Sequence, residues 1–93
     1  MDTQLSQLVT LMAQLRGPDG CPWDRQQTHE TLKPYLLEEA YEALEAIDNQ
    51  NSSALKEELG DVLLQVIFHA QIAEEQSAFT LEDVAYTLSQ KLI

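Results

Sequence analysis

Four stretches of this chain repeat apolar residues at the spacing of one helix face, and none alternates as a strand would. Between Gln4 and Arg16 the repeat is Leu5, Leu8, Val9, Met12 and Leu15, widened by Leu11, with Thr3 placed to cap the start. Gly17-Pro18-Asp19-Gly20 closes that helix with turn chemistry, and a long connection to about Gln27 follows. It carries Cys21-Pro22-Trp23-Asp24-Arg25, and bulky residues in a connection point to function more than to spacing. Thr28 or Thr31 starts the second helix, without a full capping box because Thr31 stands at the third position. Pro34 predicts a break or kink near Lys33. From Tyr35 to Asp48 the stripe is Leu36, Leu37, Ala40, Leu44 and Ile47, edged by Tyr41 and Ala43.

Asn49-Gln50-Asn51-Ser52-Ser53 is a short polar turn, so the next helix returns antiparallel, capped by one of the serines. That third helix runs from about Ser53 to Gln76, with Leu55, Leu59, Val62, Leu63, Val66, Ile67, Ala70 and Ala73 on its apolar side. Gly60 costs about 1 kcal/mol inside a helix relative to Ala, and close backbone packing beside Asp61 is the expected compensation. Thr80 caps a last helix with Asp83 at the third position, carrying Leu81, Val84, Ala85, Leu88 and Leu92. The pattern predicts an all-α fold, an antiparallel bundle of about four helices. At 93 residues it is one domain spanning 1–93, short enough that oligomerisation is expected to complete its core.

Charge narrows the function. Five basic residues against sixteen acidic ones leave a net charge of −11, which argues against nucleic-acid binding and against an anionic membrane surface. A phosphorylated small molecule stays compatible if bound metal supplies the positive charge. A single cysteine, Cys21, allows no intrachain disulfide and suits a cytoplasmic setting. No apolar run nears the roughly 18 residues of a membrane span, and Met1-Asp2-Thr3-Gln4 lacks the basic start and apolar core of a leader.

The acids are not spread evenly. Glu39 and Glu42 share one face of the second helix, and Glu58 and Asp61 share one face of the third. If those faces meet, four carboxylates converge and repel one another unless a cation lies between them. An all-oxygen set suits a hard divalent ion, Mg²⁺ or Mn²⁺. Di-iron bundle sites want Glu-x-x-His pairs, and His29 follows Gln26 by three while His69 follows Val66.

With Glu38-Glu39-x-x-Glu42 and Glu58-x-x-Asp61 in place, the chain resembles the MazG-type nucleoside triphosphate pyrophosphohydrolases of the all-α NTP pyrophosphatase superfamily. Gly20-Cys21-Pro22-Trp23-Asp24, Gln27-Thr28, Pro34-Tyr35, Glu58-Leu59-Gly60-Asp61 and Phe68-x-Ala70-Gln71 extend the resemblance over most of its length. The resemblance implies Mg²⁺-dependent hydrolysis of a nucleoside triphosphate to monophosphate and pyrophosphate, as nucleotide-pool housecleaning by a homodimer or higher oligomer. By position it implies Glu39, Glu42, Glu58 and Asp61 as metal ligands and Glu38 as a second acid or the base orienting the water. Trp23 is then a base-stacking candidate, equally a loop anchor, and Arg25 and Lys33 are candidates for phosphate contact. The sequence given ends at Lys91-Leu92-Ile93, where such proteins commonly continue into a basic Arg-Arg-His-Pro stretch. Two other readings stay open: a superfamily relative acting on phosphoribosyl-ATP or dUTP/dCTP, and a catalytically silent dimerisation or nucleotide-binding module.

Overall fold

The computed structural model describes residues 3–93; Met1 and Asp2, on which the expectation of no leader partly drew, lie outside them. The described residues form five helices: α1 (Gln4–Leu15), α2 (Pro22–Gln26), α3 (His29–Asp48), α4 (Ser52–Glu75) and α5 (Leu81–Leu92). Four are the predicted ones, and the fold is all-α. No helix among the described residues is long and apolar enough to cross a membrane. The fifth, α2, lies within the predicted connection: Pro22 at its first turn supplies a helix-ready φ, and Cys21 precedes it.

Helix ends follow local chemistry. Thr3, Thr28 and Thr80 each accept from the backbone N–H three residues on, while Ser6, Thr31 and Asp83 return a side-chain oxygen to the cap's own N–H. The expectation of an incomplete box at Thr28 is therefore corrected, because the Thr31 hydroxyl, at 2.8 Å, accepts where Glu or Gln commonly does. Neither serine caps α4; Asn51 does, its side-chain oxygen accepting from the Ala54 N–H at 3.0 Å. The C-termini of α3 and α4 close alike. Gln50 and Ser77 adopt left-handed φ of 53° and 58°, and the N–H groups of Asn51 and Ala78 reach back to the carbonyls of Ala46 and Ala73.

Pro34 does not break α3, which runs unbroken through it. Proline removes the bond to the carbonyl four residues back, on Glu30, and that residue sits in the exposed first turn where water replaces the lost donor.

The antiparallel pair α3–α4 is the body of the structure, with α1 and α5 laid against α4. The core is Met12, Leu32, Ile67, Phe68 and Ile72, joined by Leu63 and Leu81. On α3 the buried positions are Leu32, Ala46 and Ala43, the last an edge of the predicted stripe; within the stripe Ala40 is half-buried while Leu36, Leu37, Leu44 and Ile47 are exposed, Leu37 by 62%. Small residues face α4 because they let the helices approach closely, and the larger residues form a second apolar face with no cover in the single chain. On α4, Leu59 and Val66 are likewise exposed, whereas Phe68 and Ile72, outside the predicted stripe, are buried. Gly60 has no close packing either; a Cβ there would meet nothing within 4 Å. Gly20 is the glycine the fold requires, since its Cβ would fall 2.3 Å from the carbonyl oxygens of Gln14 and Leu15.

Candidate functional site

Two alanines on α3, Ala43 and Ala46, lie buried against α4 and set how near the carboxylates beside them come. Glu39, Glu42, Glu58 and Asp61 each offer a carboxylate oxygen, and all four oxygens lie within 4.8 Å of one another. Glu42 is exposed and the other three are half-buried. Oε2 of Glu39 and Oε2 of Glu58 are buried without a hydrogen-bond partner. Ionised carboxylates only accept, so crowding acids together leaves them nothing to bond unless a proton or a cation enters.

Electrostatics agrees with the geometry. Burial first, then the charges of Glu42 and Asp61, push the Glu39 carboxyl above its usual range. Glu58 is raised chiefly by a hydrogen bond with Glu42, which forms only when one of the two holds a proton, and next by burial. Both shifts favour the protonated acid, the direction expected of carboxylates crowded with no positive charge between them. The donors are all carboxylate oxygens, two of them buried and unpartnered, and this set fits a hard divalent cation. Glu38 is exposed next to Glu39, whose carboxyl it also raises, and stands outside the four-oxygen group.

The structure brings the four predicted ligands together and places the other candidates differently. Trp23 is 47% exposed and meets Tyr35 and Phe68 edge to face, with ring centroids 5.8 and 6.4 Å away. It both anchors the loop and leaves part of its indole open. Arg25 donates to the carbonyls of Gly17 and Pro18, and so holds the turn after α1. Lys33 lies 3.6 Å from Glu30 as an exposed pair.

Arg16 and the two histidines were not singled out by the sequence as linked groups. The Arg16 side chain, only 8% exposed, pairs with both Glu75 carboxylate oxygens at 2.9 and 2.8 Å. It also donates to the carbonyls of Asp24 and Gln27 at 2.6 and 3.0 Å and lies over the Phe68 ring. One guanidinium so fastens α1, α2 and α4 together. Hydrogen bonds from Arg16 and then Gln71 hold the Glu75 carboxyl below its usual range, against burial. His29, the first residue of α3, meets His69 of α4 with Nδ1 atoms 2.8 Å apart.

The chain as a whole is similar to proteins already known. The model of the MazG nucleotide pyrophosphohydrolase domain matches residues 27–93, which include all four acids. The chain is 67% identical over 87 residues to a Thermotoga maritima protein named nucleoside triphosphate pyrophosphohydrolase/pyrophosphatase MazG, covering 94% of this chain and 34% of that one. It is 48% identical over 90 residues to the Escherichia coli K12 nucleoside triphosphate pyrophosphohydrolase, covering 96% and 34%. With the Mycobacterium tuberculosis protein of that name it shares 52% over 91 residues, covering 96% and 27%. The chain thus spans about a third of the length of these curated relatives. By its helical scaffold, its converging acids and the reach of the match, the chain belongs to the MazG nucleotide pyrophosphohydrolase domain family.

Proposed function

We propose that this domain hydrolyses nucleoside triphosphates, ribo- or deoxyribo-, to the monophosphate and pyrophosphate with Mg²⁺ as its cation. The observation that carries the reading is the four-oxygen group, all within 4.8 Å, in a chain of this family. Glu39, Glu42, Glu58 and Asp61 hold the ion, and Mn²⁺ substitutes for it. When bound, the ion neutralises triphosphate charge and lowers the pKa of water. Glu38, exposed at the rim, orients the attacking water and takes its proton. The open face of Trp23 takes the base, while Lys33 and Arg25 reach phosphate only by leaving their present partners. The setting is cytoplasmic housecleaning of the nucleotide pool, and the relatives' names support the reaction.

A second copy completes the bundle. The exposed stripe Leu37, Tyr41 and Leu44 on α3, at 62%, 64% and 54%, is the apolar area a partner would cover. Sedimentation of the wild type against Leu44→Lys tests it: the wild type sediments as a dimer or larger, and an unchanged mass in the variant refutes this face.

The deciding experiment for the reaction is product analysis with each triphosphate, with and without Mg²⁺. Pyrophosphate plus monophosphate, lost in Glu42→Gln, is the expected result; diphosphate plus orthophosphate contradicts it. One observation favours a silent nucleotide-binding module as the second reading: Arg16, Arg25 and Lys33, three of the five basic residues, are already engaged elsewhere. Mg²⁺-dependent nucleotide binding without turnover would decide for that module.

A further inference from the structure

We propose that His29 and His69 form a proton-gated latch that ties the first turn of α3, and with it the Trp23 loop, to the middle of α4. The two residues are 40 positions apart, and their Nδ1 atoms are 2.8 Å from each other. Their rings are parallel within 2°, with centroids 5.1 Å apart. The centroid separation exceeds the N–N distance by about one ring's width, so the rings meet edge to edge in nearly one plane rather than face to face. Such a contact is a hydrogen bond only when one Nδ1 carries a proton and the other does not. Two bare nitrogens or two N–H groups at that distance repel.

The surroundings decide which ring donates and how the bond ends. Nε2 of His69 is buried and has no partner. An N–H there would be an orphaned donor, rarer in proteins than an orphaned acceptor. His69 is therefore the Nδ1–H donor with a bare Nε2, and His29 is the acceptor. A proton entering the pair has two places to go. On Nε2 of His69 it would spare the bond but leave a buried cation unpaired. On Nδ1 of His29 it meets the His69 N–H, and the bond survives only if His69 moves its own proton to Nε2 and leaves a buried donor without a partner. His29 occupies the first position of α3, so whatever loosens the pair loosens the start of that helix. Every placement of the proton costs the pair, so protonation works against the latch.

The other charges nearby do not take over this role. On α1, Arg16 is bonded to Glu75 of α4 and to two carbonyls. On α3, Glu30 is paired with Lys33; on α2, Arg25 is held by carbonyls and Asp24 makes no ion pair among the described residues. Burial and then the His29 charge both lower the proton affinity of His69. His69 therefore keeps to its neutral form, the one that donates across the pair, and acidification works against the latch. Opening reaches the loop because Thr31 donates to Gln27, Gln27 donates to the Trp23 carbonyl, and the indole packs on Phe68 beside His69.

Trp23 is the single tryptophan, so its emission reports the loop without interference. In the whole chain labelled with ¹⁵N, a scalar coupling between the two Nδ1 nuclei and an Nδ1–H tautomer at His69 are expected near neutral pH. Trp23 emission should shift red as pH falls from about 7.5 to about 5. In His29→Gln the amide oxygen accepts from His69 but takes no proton, so emission should stay flat over that window. Absence of the coupling in the wild type, an unmoved wild-type emission, or the same transition in His29→Gln overturns the latch. The coupling needs no variant, so a His29→Gln chain that fails to fold leaves the test intact.

Discussion

Replacing Glu39 by Gln should change stability in opposite directions with and without the cation. The Glu39 carboxylate has three others within 4.8 Å. At such a separation a pair of like charges costs about 1 kcal/mol in water and about 3–4 kcal/mol at the effective dielectric of a protein surface. The cluster is half open and screened by salt, which brings the repulsion well below the second figure. A gain of about 1–2 kcal/mol in the metal-free protein remains, helped by the new amide donating to a neighbouring carboxylate. With Mg²⁺ at a hundred times its dissociation constant the wild type should gain about 2.7 kcal/mol, and the variant, one ligand short, less than about 1 kcal/mol. Urea unfolding followed by Trp23 fluorescence, in chelator and in excess Mg²⁺, measures all four states. The order of stabilities should cross between the two conditions. A variant less stable than wild type in chelator, or an equal Mg²⁺ gain in both proteins, would falsify the view of these acids as a preformed cation site.

Three further outcomes are expected. Arg16→Lys should cost about 2 kcal/mol in urea unfolding, because one ammonium cannot serve both Glu75 oxygens and the carbonyls of Asp24 and Gln27; Glu75→Gln, which spares the carbonyl bonds, should cost clearly less. Equal losses would mean that the ion pair alone matters. Glu75 should also leave an acid signature. Its carboxyl is depressed in the fold, so its contribution is complete above the ordinary value of 4.5 and lost as pH falls from there through the folded value; the acid-unfolding curve of Glu75→Gln should lack that portion. Finally, one substitution at two glycines should have opposite signs. Gly60→Ala, where the added Cβ meets nothing, should raise stability by about 1 kcal/mol at concentrations too low for self-association, whereas Gly20→Ala should lower it because backbone carbonyls stand in the way. A gain at both positions would contradict the turn geometry at Gly20.

The helices and the acid group were readable from the sequence for one reason and the packing was not for another. Periodicity reports that a face is apolar without saying what covers it. On α3 the leucines carry the strongest pattern and remain exposed, while Ala43 and Ala46, weak contributors to any hydropathy stripe, make the close contact with α4. The same ambiguity let Gly60 pass for a packing glycine when its surroundings are open in the single chain. Pro34 misled differently, since its cost depends on whether water can reach the carbonyl that loses its donor, and that is a matter of exposure.

The acids were legible because they contradict local stability. Glu39 with Glu42 and Glu58 with Asp61, each placed beside an apolar stripe, bring like charges together for which the helices have no use of their own. Arg16 and the histidine pair left no such trace. Two of the acceptors of Arg16 are backbone carbonyls, which every residue supplies, and its acid partner lies 59 positions away. His69 falls on the polar flank of its helix with Glu58, Asp61 and Gln65, and nothing along either helix ties it to His29. Pairing α3 with α4 in antiparallel order sets Glu39 near Asp61 and Glu42 near Glu58. Continued toward the start of α3 and the end of α4, that same order brings position 29 against position 69. The register inferred from the acids therefore already contained the latch, once the histidines are read across the helix pair rather than along each helix.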